Sequence, residues 1–340
     1  MERERAVADA VVELAGRWRL GPPRSAGGLR LVPILDGAAP GPEYLLAAQA
    51  SADGLLAIRE VGEGSVPELV AENRAPVPVL ILEGEHLEGA KQDRVLNVSV
   101  LLPADRATTI PVSCVEAGRW GYGAMPVFSP SVHFSNPSLR ARKLERVGES
   151  ARRGLGRRSD QGEVWWEVER SRHRVQARRS PTRALRDAFV DLGGRLEEIV
   201  GGFPGPEPGA VGVVACAGGR VLGLDAFDRP ATLAALWPRL VRGYAFDALG
   251  AGDGPPGQDP APTFLDLLAA AEATEHPAVG LGSEVYLTGP GLIGSALVWE
   301  GAAVHVAAFP NEAGEGVAPS GPLTSSARRR AEGRMRRFHR

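Results

Sequence analysis

The chain has 340 residues, 44% of them hydrophobic and 24% charged, and a formal net charge of -2. That is the composition of an ordinary globular protein and excludes whole-chain disorder or a collagen-like fibre. No apolar run approaches the about 20 residues that span a bilayer, and the opening MERERAVADAVVELAGRW lacks the apolar core of a signal peptide, so a cytoplasmic protein without a membrane segment is expected. Cys114 and Cys216 each sit in an apolar, strand-like run and read as buried, inert thiols, not as a disulfide framework.

In chain order, Ala6, Ala10, Leu14 and Trp18 recur near helical spacing and predict a short N-terminal helix, closed by GPPRSAGG. Leu29 to Leu35, Tyr44 to Ala50 and Leu55 to Val61 predict three strands separated by Gly, Pro and Asp turns. Val77 to Leu82, Val95 to Leu102 and Thr109 to Val115 predict three more, and the short connections imply antiparallel pairing. Between Pro126 and Arg158 apolar periodicity fails and Arg and Lys accumulate, which predicts a mobile loop or an exposed helix.

Asp160 with Glu163 forms a capping-box pattern ahead of VWWEVER. Ser180 and Pro181 read as N-cap and first residue of a helix burying Leu185, Phe189, Leu192, Leu196 and Ile199. VGVVACAGGRVLGLDAF predicts a hairpin turning at Gly218 and Gly219. Asp228 and Pro230 open a helix that Pro238 should kink or split, and Thr263 with Asp266 caps another through about Ala273. Three terminal strands follow. The expected fold class is α+β: an antiparallel β-rich N-terminal half interlocked with a C-terminal half of β-hairpins and packed helices. The expected divisions are 1–28 (helix and linker), 29–125 (β-rich half), 126–158 (basic stretch), 159–310 (α+β half) and 311–340, a disordered Arg-rich tail able to make weak nucleic-acid contact.

The unusual chemistry lies between residues 77 and 120. Glu83, Glu85 and His86 are candidates for acid/base or metal chemistry. On a strand, Glu83 and Glu85 point to one face and His86 to the other, and their spacing matches no zincin motif. A charged strand end with internal salt bridges is the simpler account. Arg94, Glu116, Arg119 and Trp120 form a candidate binding group. If their strands adjoin, Arg94 can pair with Glu116 while Arg and Trp hold a phosphate and a base by bidentate contact and stacking. The plainer alternative is a buried ion pair under a Trp. His305 reads as a satisfied core histidine with general acid/base work as the lesser option.

The block PVLILEGEHLEGAKQDRVLNVSVLLPA, then CVEAGRW, GEVWWEVE, GVVACAGGRVLGLDAFDRPATLAALWPRLVRGYAFDAL and GSALVWEGAAVHVAAF occur in an order that resembles a bacterial family. This is the ARG and rhodanese-phosphatase-superfamily-associated protein domain family, ARG denoting ADP-ribosylglycohydrolase. The resemblance covers roughly residues 29 to 310. It implies a nucleotide or ADP-ribose-like ligand and partner enzymes of ADP-ribose or phosphatase type; it supplies no catalytic residues to carry over and leaves any cofactor unknown. Three readings stay open: an accessory ligand-binding module, a hydrolase acting on a phosphorylated or glycosidic substrate, and an oligomeric scaffold.

Overall fold

The computed structural model describes residues 2–36, 40–62, 67–118, 127–252 and 259–311. The chain opens with α1 (Glu2–Arg17), β1 (Arg19–Leu20), β2 (Arg24–Ala26) and β3 (Leu29–Leu35). Next come β4 (Leu45–Leu46), α2 (Ala47–Ala52), β5 (Leu56–Glu60), β6 (Glu68–Asn73), β7 (Val79–Ile81) and β8 (Glu85–Gly89). Then follow β9 (Arg94–Leu96), β10 (Val100–Leu102), β11 (Arg106–Cys114) and β12 (Phe128–Phe134). Four helices succeed them: α3 (Pro137–Arg152), α4 (Gln161–Arg174), α5 (Leu185–Asp191) and α6 (Gly193–Gly201). The hairpin β13 (Ala210–Ala217) and β14 (Arg220–Phe227) leads into α7 (Pro230–Ala248) and α8 (Pro260–Ala269). The described chain closes with β15 (Glu272–Pro277), β16 (Ser283–Gly289), β17 (Leu292–Trp299) and β18 (Ala302–Pro310). The fold class is α+β.

Two β units dominate. A nine-stranded sheet runs β1-β3-β13-β14-β18-β17-β16-β15 with β2 on β3, and β11-β6-β5-β12-β8-β9 close into a six-stranded barrel. A small sheet, β10-β7-β4, adjoins them and holds the parallel pair β4 with β7. Alternation along the barrel strands turns Ile58, Leu69, Ala71, Leu87, Leu96, Ile110, Val112 and Phe128 into one buried cluster. The large sheet is covered on both faces. Ala8, Val11 and Ala15 of α1 and Phe264 and Leu268 of α8 bury one face with Val214 and Val306. On the other face lie α7, packed on Val213 and Phe227, and α3, whose Leu144 and Val147 join the barrel cluster to Phe309.

The chain crosses between these units early. β3 pairs with β13 from Leu29↔Ala217 to Leu35↔Ala210, so residues 29–35 belong to the large sheet and not to the barrel. Gly218 and Gly219, at φ +57 and +73, turn the β13–β14 hairpin where the sequence predicts it.

Other local expectations are corrected. The α1 stripe is Ala8, Val11, Ala15 and Trp18, with Ala10 exposed. Tyr44 to Ala50 is not one strand, because the Ala-rich AAQASA turns helical once Gln49 Oε1 accepts from Leu46 N. Ser180 and Pro181 open no helix: Leu185 N donates to Val115 O and Gly118 N to Thr182 O, tying 182–185 to the end of β11 and delaying the helix to Leu185. α8 is capped by Asp259, whose side chain accepts from Ala261 N, and not by Thr263. α7 runs through Pro238 as one helix. The basic stretch contains α3, whose Arg140 and Lys143 are fully buried. Of the Arg-rich tail, 312–340 lies outside the described residues.

Candidate functional site

Glu83, Glu85 and His86 sit at the turn between β7 and β8. Gly84, at φ +81, makes the turn, and a Cβ there would lie 2.9 Å from Arg140 Nε, so the glycine also admits that side chain. The three candidates then diverge. Glu83 meets Arg140 and Lys143 of α3, at 2.7 Å from Arg140 Nε and 3.4 Å from Lys143 Nζ. Glu85 accepts from Arg239 of α7 at 2.7 Å and from Leu82 N at 3.1 Å. His86 shares a 2.8 Å hydrogen bond with Ser135 and meets the Phe189 ring edge-on. Burial, reinforced by His133 and Arg239, holds the His86 pKa well below its usual value. Among the described residues, no group of three or more His, Cys, Asp or Glu side chains is arranged to hold a metal ion.

Glu83 belongs to a buried network that joins barrel, helix and sheet. Arg140 Nη1 and Nη2 reach Asp225 of β14 at 2.8 and 2.6 Å, while its guanidinium lies between the Phe134 and Phe309 rings at 4.9 and 4.8 Å. Tyr244 of α7 also donates to Asp225. His305 Nε2 lies 3.0 Å from Asp225, its Nδ1 lies 2.8 Å from Ser99 Oγ, and Ser99 Oγ accepts from Glu83 N. Burial pushes the Asp225 carboxyl up, but the Arg140 charge and hydrogen bonds outweigh it and keep the group ionised; Arg140 and Lys143 do the same for Glu83. Lys143 also donates to Leu96 O, and burial lowers its pKa to about 8.

Arg94 and Glu116, the two binding candidates among the described residues, lie at one end of the barrel. Cys114 and Arg94 are in register across β11 and β9, so the two strands adjoin as expected. The guanidinium, however, turns into the barrel, not to Glu116. Arg94 Nη1 donates to Gln92 O and Oε1 at 3.1 and 3.3 Å, and Nη2 lies 3.6 Å from Glu60 of β5. Glu116 instead receives Asp93 N at 3.1 Å, and its carbonyl receives Gln92 Nε2 at 2.9 Å. The Cys114 thiol donates to Gln92 Oε1, and burial pushes its pKa up to about 11. Arg119 and Trp120 lie outside the described residues.

The hydrogen bonding of this pair is incomplete. Arg94 is fully buried and the Glu60 side chain is 5% exposed, yet Arg94 Nε and Nη2 and both Glu60 carboxylate oxygens lack hydrogen-bond partners. Buried charges are normally satisfied, so four such atoms on one pair call for an explanation. Sequence reasoning missed Glu60. Its signal was available: in Leu56, Ile58, Glu60 a carboxylate takes the third inward position of an alternating strand.

A family model, the ARG and Rhodanese-Phosphatase-superfamily-associated Protein domain, matches residues 17–309. The chain belongs to that family. The family region takes in the large sheet, the barrel and the helices between them. No curated protein and no solved structure matches the chain. Among the described residues no helix is long and apolar enough to cross a membrane.

Proposed function

We propose that this protein is an accessory domain of the bacterial cytoplasm that binds a sugar-bearing nucleotide of ADP-ribose type at the barrel end and serves partner enzymes of ADP-ribose or phosphatase chemistry. The observation that carries this reading is the buried Glu60–Arg94 pair, in which two acceptors and two donors have no hydrogen-bond partner. A vicinal diol complements that arrangement, because each hydroxyl can donate to the carboxylate and accept from the guanidinium. A bare phosphate would find Arg94 but be repelled by Glu60. Arg119 and Trp120 follow Glu116 by three and four residues; in this reading they serve the phosphates and the base.

The carboxylate-hydrolase reading has less support, since both Glu83 oxygens are engaged by cations and Glu85 is held by Arg239. The test is a thermal melt with and without millimolar ADP-ribose. A ligand that binds only the folded state at 100 times its dissociation constant adds about 2.7 kcal/mol. The wild type should shift upward by several degrees, and Arg94→Gln and Arg119→Gln should lose most of that shift while remaining folded. No shift in the wild type, or an undiminished shift in both variants, overturns the proposal.

A further inference from the structure

A second place in the molecule carries reactive chemistry independently of the barrel end. Ser99 lies in the segment between β9 and β10, on the barrel side, and His305 and Asp225 lie on neighbouring strands of the large sheet. The ionised Asp225 carboxylate sets the direction of the chain for a neutral imidazole. That carboxylate only accepts, which leaves His305 Nδ1 to accept from Ser99 Oγ at 2.8 Å, an oxygen that itself accepts from Glu83 N at 3.0 Å. The other ring nitrogen, Nε2, then carries a hydrogen and donates to Asp225 Oδ1 at 3.0 Å. Phe227, stacked on the imidazole at 5.0 Å, holds the ring plane, and Arg140 and Tyr244 hold the carboxylate. Nucleophile, base and orienting carboxylate thus stand in the order that serine acyl transfer requires.

Ser99 and His305 are not sealed away. Both line a cavity of about 10 Å³, room for about one water molecule, which Glu284, Tyr286 and Ser295 complete on its polar side. Ser295 is partly exposed, whereas Ser99 and His305 are buried. Glu284, also buried, is held in the cavity wall by Arg157 and Tyr286 on Oε2 and by the backbone of Val279. Burial raises the Glu284 pKa, against the Arg157 charge and the hydrogen bonds that lower it.

We propose that Ser99, His305 and Asp225 form a nucleophilic centre that cleaves esters of short carboxylic acids, the acyl group entering the cavity between barrel and sheet. Ser99 Oγ bonds to the ester carbonyl carbon as its proton passes to His305 Nδ1. The C–O bond to the alcohol breaks, and the departing alkoxide takes that proton. Water then attacks the acyl-serine by the same route, giving up a proton to His305 Nδ1 that returns to Ser99 Oγ, and the short acid leaves. A volume of about one water restricts the acyl group to the smallest, formyl or acetyl.

The experiment uses the full chain with p-nitrophenyl acetate, following p-nitrophenol release and mapping the acyl group by mass spectrometry after an acid quench. Acetyl on the Ser99 peptide is expected, with release falling at least tenfold in Ser99→Ala and His305→Gln and falling steeply in the wild type as the acyl chain is lengthened. Mapping is done on the wild type and so does not depend on either variant folding. An acid-quenched wild type with no acyl group on Ser99, or turnover that persists in folded Ser99→Ala, overturns the proposal. Neither outcome bears on Arg94.

Discussion

Arg140 spans the interface between barrel and sheet with two carboxylates and two aromatic rings around one guanidinium. A buried ion cluster adds little net stability when complete but is costly to break, since the remaining charges have no water to turn to. Arg140→Met should therefore destabilise the protein by about 3–5 kcal/mol, chiefly by stranding Glu83 and Asp225. Urea denaturation of the two proteins checks this. A loss below about 1 kcal/mol would mean that the cluster relaxes into solvent. The contrast with Arg94 is instructive. Around Arg140 nearly every donor and acceptor is matched, as in a structural joint, while around Arg94 and Glu60 four atoms are not. Residue type alone does not separate the two roles, because both are buried arginines facing carboxylates.

Helices α3 and α4 show how a polar stretch becomes part of the architecture. Their exposed sides are tied by Arg142 and Arg146 to Glu163, while Leu139, Leu144 and Val147 of α3 and Val164 and Val168 of α4 turn inward. α4 begins where the sequence places it: the Asp160 carboxylate accepts from Gly162 N at 2.8 Å and Glu163 N at 3.1 Å. Asp160→Ala should cost about 1 kcal/mol, the usual value of such a cap. It should leave the fold unchanged, as a small shift of the urea midpoint at constant slope would show. By contrast, the helix expected from Ser180 starts only at Leu185, because long-range backbone hydrogen bonds to Val115 and Gly118 claim the intervening residues. A local cap signal prevails only where no distant strand end competes for the same amides.

At the scale of the whole molecule, Lys143 reports how firmly barrel and sheet are joined. Its amine, on α3, meets Glu83 and Leu96 O of the barrel side, and burial brings its pKa down to about 8 from 10.5. A depressed lysine is charged in the unfolded chain at pH values where the folded one has lost its proton. The unfolded state then binds more protons, and stability from this group rises with pH between about 8 and 10.5. Below that window the buried ammonium carries its full penalty. Buried thiols and tyrosines titrate in the opposite sense at high pH, so the difference between wild type and Lys143→Met is the informative quantity. The stability of the wild type relative to the variant should rise as pH goes from 8 to 10, by urea denaturation at each pH. A flat difference would mean that the amine keeps its proton in the folded state.

Much of this protein was decided locally. Apolar runs bounded by Gly, Pro and Asp set most of the strands, Gly218 and Gly219 set the hairpin, Asp160 set a helix start, and the order of motifs marked the family, because each of these signals acts over a few residues. Tertiary structure decided the rest. β3 lies beside β13, over 180 residues later by the Leu31↔Ala215 pairing. The barrel closes between β11 and β9, and closure is what brings Glu60 to Arg94 in place of Glu116. Packing of barrel on sheet is what carries Ser99 to His305, Asp225 and a common cavity. Such pairings depend on which surfaces bury together, and no short-range preference encodes which buried charge will meet its partner and which will be left facing an unfilled place.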